Sequence, residues 1–120
     1  MSDHLNIGLQ GELFACTYLE GQGYRILEKN WRYQRAEIDI ICLKGGHLVF
    51  VEVKTRTSDF LGDPASAVSR SKQKHLIRAA DAYVKRFDGD PEIRFDIVGL
   101  VINKSENRVE HITDAFYPVL

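Results

Sequence analysis

The ionisable residues that could do chemistry in this chain are Glu37, Asp39, Glu52 and Lys54. They stand in two runs of β-branched and aliphatic residues, Ala36 to Leu43 and Leu48 to Lys54, separated by Lys44-Gly45-Gly46-His47. A Gly-Gly pair between such runs predicts a β-hairpin. Side chains alternate along a strand, so Glu37, Asp39 and Ile41 are expected on one face of the first strand, and Leu48, Phe50, Glu52 and Lys54 on one face of the second. Both strands carry apolar residues on both faces, as strands covered from two sides do. Glu52 and Lys54 therefore fall on a face that should be dry, where a charge is costly unless paired, metal-bound or neutralised. Counting outward from the turn sets Asp39 opposite Glu52 and Glu37 opposite Lys54. Two adjacent carboxylates with an ammonium two residues along make a site for a hard cation such as Mg²⁺ or Mn²⁺. The lysine would orient or deprotonate a metal-bound water, or stabilise charge developing on phosphorus. A ladder of charge pairs on a wet sheet face, worth about 0.2–1 kcal/mol per pair, would use the same residue types.

The elements around the hairpin can be read from periodicity. From Asn6 to Gln22 the spacing of Ile7, Phe14, Ala15, Tyr18 and Leu19 predicts a helix ended by Gly21 and Gly23. Glu12 lies at the edge of that apolar stripe, and Gly8 and Gly11 predict a close approach to the sheet. Tyr24 to Arg32 reads as a strand and Tyr33-Gln34-Arg35 as a turn. The polar stretch Thr55 to Pro64, with its Phe60-Leu61 pair, is either a connection or a lid beside the site. Ala65 to Phe87 predicts the longest helix, with Val68, Leu76, Ile77, Ala80, Tyr83, Val84 and Phe87 as its core stripe. Gln73 is in line with Leu76 and Ala80 and should point inward, toward the acidic cluster. Ile93 to Asn103 and Arg108 to Ile112 complete the strands. Asp96 is expected to be structural, paired with Arg94 or a helix residue, and His111 to be a strand residue rather than a ligand.

Asp39 followed by Glu52-Val53-Lys54 resembles the acidic core of the PD-(D/E)XK nucleases, the restriction-endonuclease-like fold. The segments Gly8-Leu9-Gln10-Gly11-Glu12, Asn30-Trp31-Arg32, Glu37-Ile38-Asp39, Phe50 to Arg56, Arg94-Phe95-Asp96 and His111 to Phe116 together resemble the YraN family of small bacterial proteins. The one departure from the broader nuclease pattern is Glu37-Ile38-Asp39 in place of a Pro-Asp pair. The resemblance implies that Glu12 reaches toward the metal site from the first helix and that the backbone carbonyl of Val53 is a further metal ligand. It also implies a homodimer, since related junction-cutting nucleases act on two strands at once.

Charge patterning adds a partner. The chain has a net charge of −1, yet Lys29 to Arg86 hold 12 Lys and Arg against 6 Asp and Glu, while the remainder holds 4 against 11. A basic middle with acidic ends provides a local field for a phosphate backbone. The expected nucleic-acid contacts are Arg32, Arg35 and Arg56 near the hairpin and Arg70, Lys72, Lys74 and Arg78 on the long helix; a solvated helix face would show the same residues. The N-terminal residues lack the regions of a signal peptide, and no apolar run approaches the roughly 20 residues that span a bilayer, so the cytoplasm is the expected location. Cys16 and Cys42 have no metal or disulfide spacing and read as buried thiols.

The order helix, three strands, helix, two strands predicts one α/β domain over residues 1–120, a mixed central sheet of about five strands flanked by two main helices, and the resemblance makes it a restriction-endonuclease-like sandwich. The function expected is a metal-dependent nucleic-acid phosphodiesterase, an endonuclease on DNA before RNA. Asp39, Glu52 and Glu12 would serve the metal, Lys54 the attacking water, and Gln73 the orientation of that water. Two non-enzymatic readings stay open: a nucleic-acid-binding adaptor beside a helicase or repair partner, and a protein-interaction subunit.

Overall fold

A computed structural model describes residues 3–56 and 68–116, with side chains from residue 8 onward. The proposed lid residues Phe60 and Leu61, the predicted helix start at Ala65 and the side chain of Ile7 lie outside the described residues. The elements are α1 (Asp3–Gly21), β1 (Arg25–Tyr33), β2 (Ala36–Lys44), β3 (His47–Arg56), α2 (Arg70–Val84), β4 (Glu92–Ile102) and β5 (Asn107–Phe116). The five strands form one sheet in the order β1-β2-β3-β4-β5, antiparallel except for the β3–β4 pair. A parallel pair needs a long crossover, and the connection through α2 provides it. The α/β architecture with two helices on a mixed sheet is the one expected.

The hairpin forms as its sequence dictates. Gly45 takes a φ of 59°, which glycine adopts without penalty, and the β2–β3 register runs from Lys44↔His47 to Ile40↔Val51. That register continues toward Asp39 and Glu52, but the ladder stops there. At the other end of β2 the two-residue turn Gln34-Arg35 joins β1 to β2, with Gln34 at a φ of 54°.

Each face of the sheet has its own core. Under α1 lie Ala15, Cys16, Leu19, Tyr24, Ile40, Cys42, Val49, Val51, Val98 and Leu100, mostly small or aliphatic. Under α2 lie Ile38, Ile41, Leu48, Phe50, Leu76, Tyr83, Phe95 and Ile97, with Phe50, Phe95 and Phe116 stacked in series and Trp31 edge-on to Tyr83. Trp31 is thus half-buried packing. Ile38 belongs to the α2 side and Ile40 to the α1 side, so face alternation breaks at Asp39. This corrects the expectation that Glu37, Asp39 and Ile41 share a face.

Local details differ from the periodicity reading for physical reasons. α2 begins after Ser69, whose hydroxyl accepts from the Lys72 N–H at 3.1 Å, so Val68 packs from the segment before the helix. The helix ends at Val84, and Phe87 packs from beyond it. On α1, Gly11 is buried and a Cβ there would collide with Thr55 Oγ1, whereas Gly8 is exposed with open space around it. Only Gly11 marks the close approach to the sheet. Phe14, expected in the core stripe, is 38% exposed, with Leu13 at 63% beside it.

Candidate active site

The candidate site lies where β2 and β3 part. Glu12 arrives from α1 beside Gly11, the residue at which that helix touches β3. Carboxylate oxygens of Glu12, Glu37 and Asp39 lie within 4.8 Å of one another, and all three residues are half-buried. Asp39 Oδ2 accepts the backbone N–H of Val53 at 2.8 Å, which ties the end of the β2 ladder to β3. Glu52 comes from the same part of β3 but on the α2 side, the face of Leu48 and Phe50 as alternation requires. It is 6% exposed.

The electrostatics of this pair are lopsided. Burial pushes the Asp39 carboxyl up, and the charge of neighbouring Glu52 adds to it; the Val53 N–H opposes both, and the result is a pKa of about 8. Glu52 meets Lys72 of α2, whose Nζ is 3.0 Å from Oε1 in hydrogen-bonding geometry and 2.9 Å from Oε2. The second approach lacks hydrogen-bond geometry. Glu52 Oε2 is consequently buried with no hydrogen-bond partner among the described residues. One half-exposed lysine serves a pair of carboxylates with two more close by.

The other expected residues are distributed as follows. Lys54 is half-buried on β3 and by alternation shares the face of Glu52. Val53 contributes its N–H to Asp39. Gln73 donates its side-chain amide to the Val68 carbonyl at 3.0 Å, which fastens the chain entering α2. Glu37 is held by Arg32 at 2.9 Å across the β1–β2 pair rather than by Lys54, because the β2–β3 ladder has ended before those two residues. Arg32 remains 80% exposed in that ion pair. Arg35, Arg70, Lys74 and Arg78 are exposed and Arg56 half-buried. Lys72, expected to face a phosphate backbone, is turned to Glu52.

Glu37 was not among the expected metal ligands, although its place two residues before Asp39 was the signal for it. Nothing local in the sequence pairs Lys72 with Glu52, since the contact needs α2 folded onto the sheet.

A second buried acid stands apart from this site. Asp96 is fully buried on β4 and accepts from Arg94 at 2.8 and 2.9 Å, from the Asp114 N–H at 3.0 Å and from His111 at 2.8 Å. With His111 Nε2 donating to Asp96, Nδ1 is free to accept from the Tyr18 hydroxyl at 2.9 Å. Burial raises the Asp96 pKa, but the hydrogen bonds from His111, Arg94 and Asp114 and the charge of Arg94 outweigh it and hold the group below the usual carboxylate range. The expected Arg94 pairing is present, and His111 is a satisfied strand residue.

No helix among the described residues is long and apolar enough to cross a membrane. Residues 11–100 match the family model described as uncharacterised protein family UPF0102. A UPF0102 protein of Bacteroides thetaiotaomicron is 44% identical over 120 residues, covering 100% of this chain and 99% of its own. One from Chlorobaculum parvum is 47% identical over 118 residues, covering 92% of this chain and 91% of its own. One from Flavobacterium psychrophilum is 45% identical over 117 residues, with 98% of each chain covered.

Proposed function

Because the chain belongs to the uncharacterised protein family UPF0102, the YraN family, its activity has to be read from its own side chains, and we propose a metal-dependent nucleic-acid phosphodiesterase, an endonuclease acting on DNA before RNA. The observation that carries this reading is the charge deficit at Asp39 and Glu52. One carboxyl is pushed up to about 8 and the other keeps a buried oxygen that accepts no hydrogen bond among the described residues, with Glu12 and Glu37 adjoining. Such an arrangement fits a divalent cation, which would offset the burial and the like charge that push the Asp39 carboxyl up. Asp39 and Glu52 would hold Mg²⁺ or Mn²⁺, with Glu12 and the Val53 carbonyl as further ligands. A cation there supplies a water activated for in-line attack and neutralises charge on the phosphodiester. Lys54, on the strand face of Glu52, would orient the attacking water and stabilise the departing charge, while Gln73, whose amide is given to the Val68 carbonyl, would serve by fastening the chain that enters α2. The basic residues at the β1–β2 turn and on α2 hold the strand.

A second reading has its own observation. Lys72 already neutralises part of Glu52, which suits an adaptor that binds nucleic acid without turnover, beside a helicase or repair partner. Under either reading a homodimer would present two sites to two strands.

The test incubates wild-type, Asp39→Asn and Lys54→Ala proteins with labelled single-stranded, duplex, flap and four-way-junction DNA, in Mg²⁺, Mn²⁺ or EDTA. Cleavage by the wild type that EDTA abolishes, and that falls on the order of 100-fold or more in each variant, is the expected result. Binding without cleavage in every metal condition overturns the phosphodiesterase and leaves the adaptor.

A further inference from the structure

A groove runs between the β1–β2 turn and α2 and ends at the acidic cluster. Its outer part is a cavity of about 360 Å³ lined by Tyr33, Gln34, Arg35, Ala36, His75 and Arg78. Its inner part, about 310 Å³, shares Arg35, Ala36 and His75 and adds Glu37, Lys72 and the start of α2. The three α2 residues are spaced by three, Lys72, His75 and Arg78, so they lie along one side of the helix. At about 1.5 Å per residue they span about 9 Å.

Three cations of this part of the molecule are already committed to carboxylates. Arg32 is held by Glu37, Lys72 by Glu52, and Lys85 by Asp81. Arg35 and Arg78 form no ion pair among the described residues, and no carboxylate lines the outer cavity. In the same lining Tyr33 lies parallel to Trp31 within 5° at 6.1 Å, so a flat ring laid on Tyr33 extends an existing stack.

Resting on the nucleic-acid reading above, we infer that this groove is a subsite for one unpaired nucleotide of the strand whose phosphodiester reaches Asp39 and Glu52. The base stacks on Tyr33. Arg35 and Arg78 clamp its phosphate from the turn and the helix, with His75 between them. The cavity has room for one nucleotide and its ring contact requires a base out of its pair, so the class selected is single-stranded or branched nucleic acid over continuous duplex.

The test reads binding in EDTA, where cleavage plays no part. The probes are a 12-nucleotide single-stranded DNA, the RNA of the same sequence and the corresponding DNA duplex. Trp31, the chain's single tryptophan, reports occupancy through its emission. The expected results are single-strand binding tighter than duplex binding, a change in Trp31 emission, and loss of about 10-fold or more of single-strand affinity in Arg35→Ala/Arg78→Ala. The salt slope should fall by roughly one for each phosphate contact removed. Tyr33→Ala should lose on the order of 10-fold with the slope unchanged. An Arg25→Ala/Lys104→Ala variant removes the same charge from exposed sites outside the groove and should bind as wild type. If the protein binds these probes but the groove variants match this control, the subsite is overturned and the function reading stands. If the wild type binds none of the probes, both fall.

Discussion

Two acidic residues are taken into the same sheet and meet opposite fates. Asp96 on β4 finds a guanidinium, an imidazole and a backbone N–H, and its pKa is driven down. Asp39 on β2 finds one backbone N–H and other carboxylates, and its pKa is driven up to about 8. Burial acts on both in the same direction, so burial alone does not mark a functional acid. What separates them is the supply of positive charge: Asp96 is complete within the fold, whereas Asp39 and Glu52 have between them one half-exposed ammonium, that of Lys72, which is bound to Glu52. A buried charge without its partner is expensive, and it is retained where an external partner completes it.

The contrast breaks most visibly at Asp96. Asp96→Asn leaves the half-buried Arg94 guanidinium with its charge uncompensated and is expected to cost about 3–5 kcal/mol in urea denaturation. A cost below about 1 kcal/mol would mean that this network is not the structural counterpart described above. Lys72→Ala comes next, because it strips Glu52 of its cation. In EDTA it should lose about 1–3 kcal/mol. In Mg²⁺ it should regain more melting temperature than the wild type gains, since a cation there no longer competes with the ammonium. Equal Mg²⁺ shifts in both proteins would show that Lys72 does not guard the site.

The pH dependence of stability should have two opposite slopes, assignable by variant. Asp39 has a folded pKa above its ordinary value of 3.8, so between about 4 and about 8 the folded state binds more protons than the unfolded one. Without metal, this group therefore makes stability fall as pH rises through that window. Asp96 has a depressed folded pKa, so its contribution is present above 3.8 and is lost as pH falls below it. Asp39→Asn should flatten the first slope, leave the second, and stabilise the metal-free protein by about 0.5–2 kcal/mol near neutral pH. A metal-free stability curve unchanged by Asp39→Asn would remove the charge deficit on which the site reading rests.

The smallest expected effect separates two glycines of α1. Gly8→Ala meets open space and should gain about 0.4–1 kcal/mol, whereas Gly11→Ala should lose about 1–3 kcal/mol by pushing α1 off Thr55. Gly11→Ala should also weaken metal binding, because Glu12 rides on that contact.

Much of this arrangement is legible along the chain. The Gly-Gly turn and the alternation of Leu48, Phe50 and Glu52 specify the hairpin, its register to Ile40↔Val51 and the inward direction of Glu52, because turn geometry and the two-residue period are local. The spacing of Leu76, Ile77, Ala80 and Tyr83 likewise specifies the buried side of α2. The pairing of Asp96 with Arg94 follows from their position two apart on one strand face.

The site itself was decided by contacts between elements distant in sequence. The break in alternation at Asp39 brings its carboxyl to Glu12 and Glu37 while it still meets Glu52, and no spacing rule encodes that switch. Lys72 reached Glu52, and Arg35 came to face Arg78, only when α2 docked against the sheet. Local periodicity sets where a side chain points on its own helix or strand. Which charges then meet, and whether they balance, depends on packing between elements, and here that packing left Asp39 and Glu52 short of positive charge.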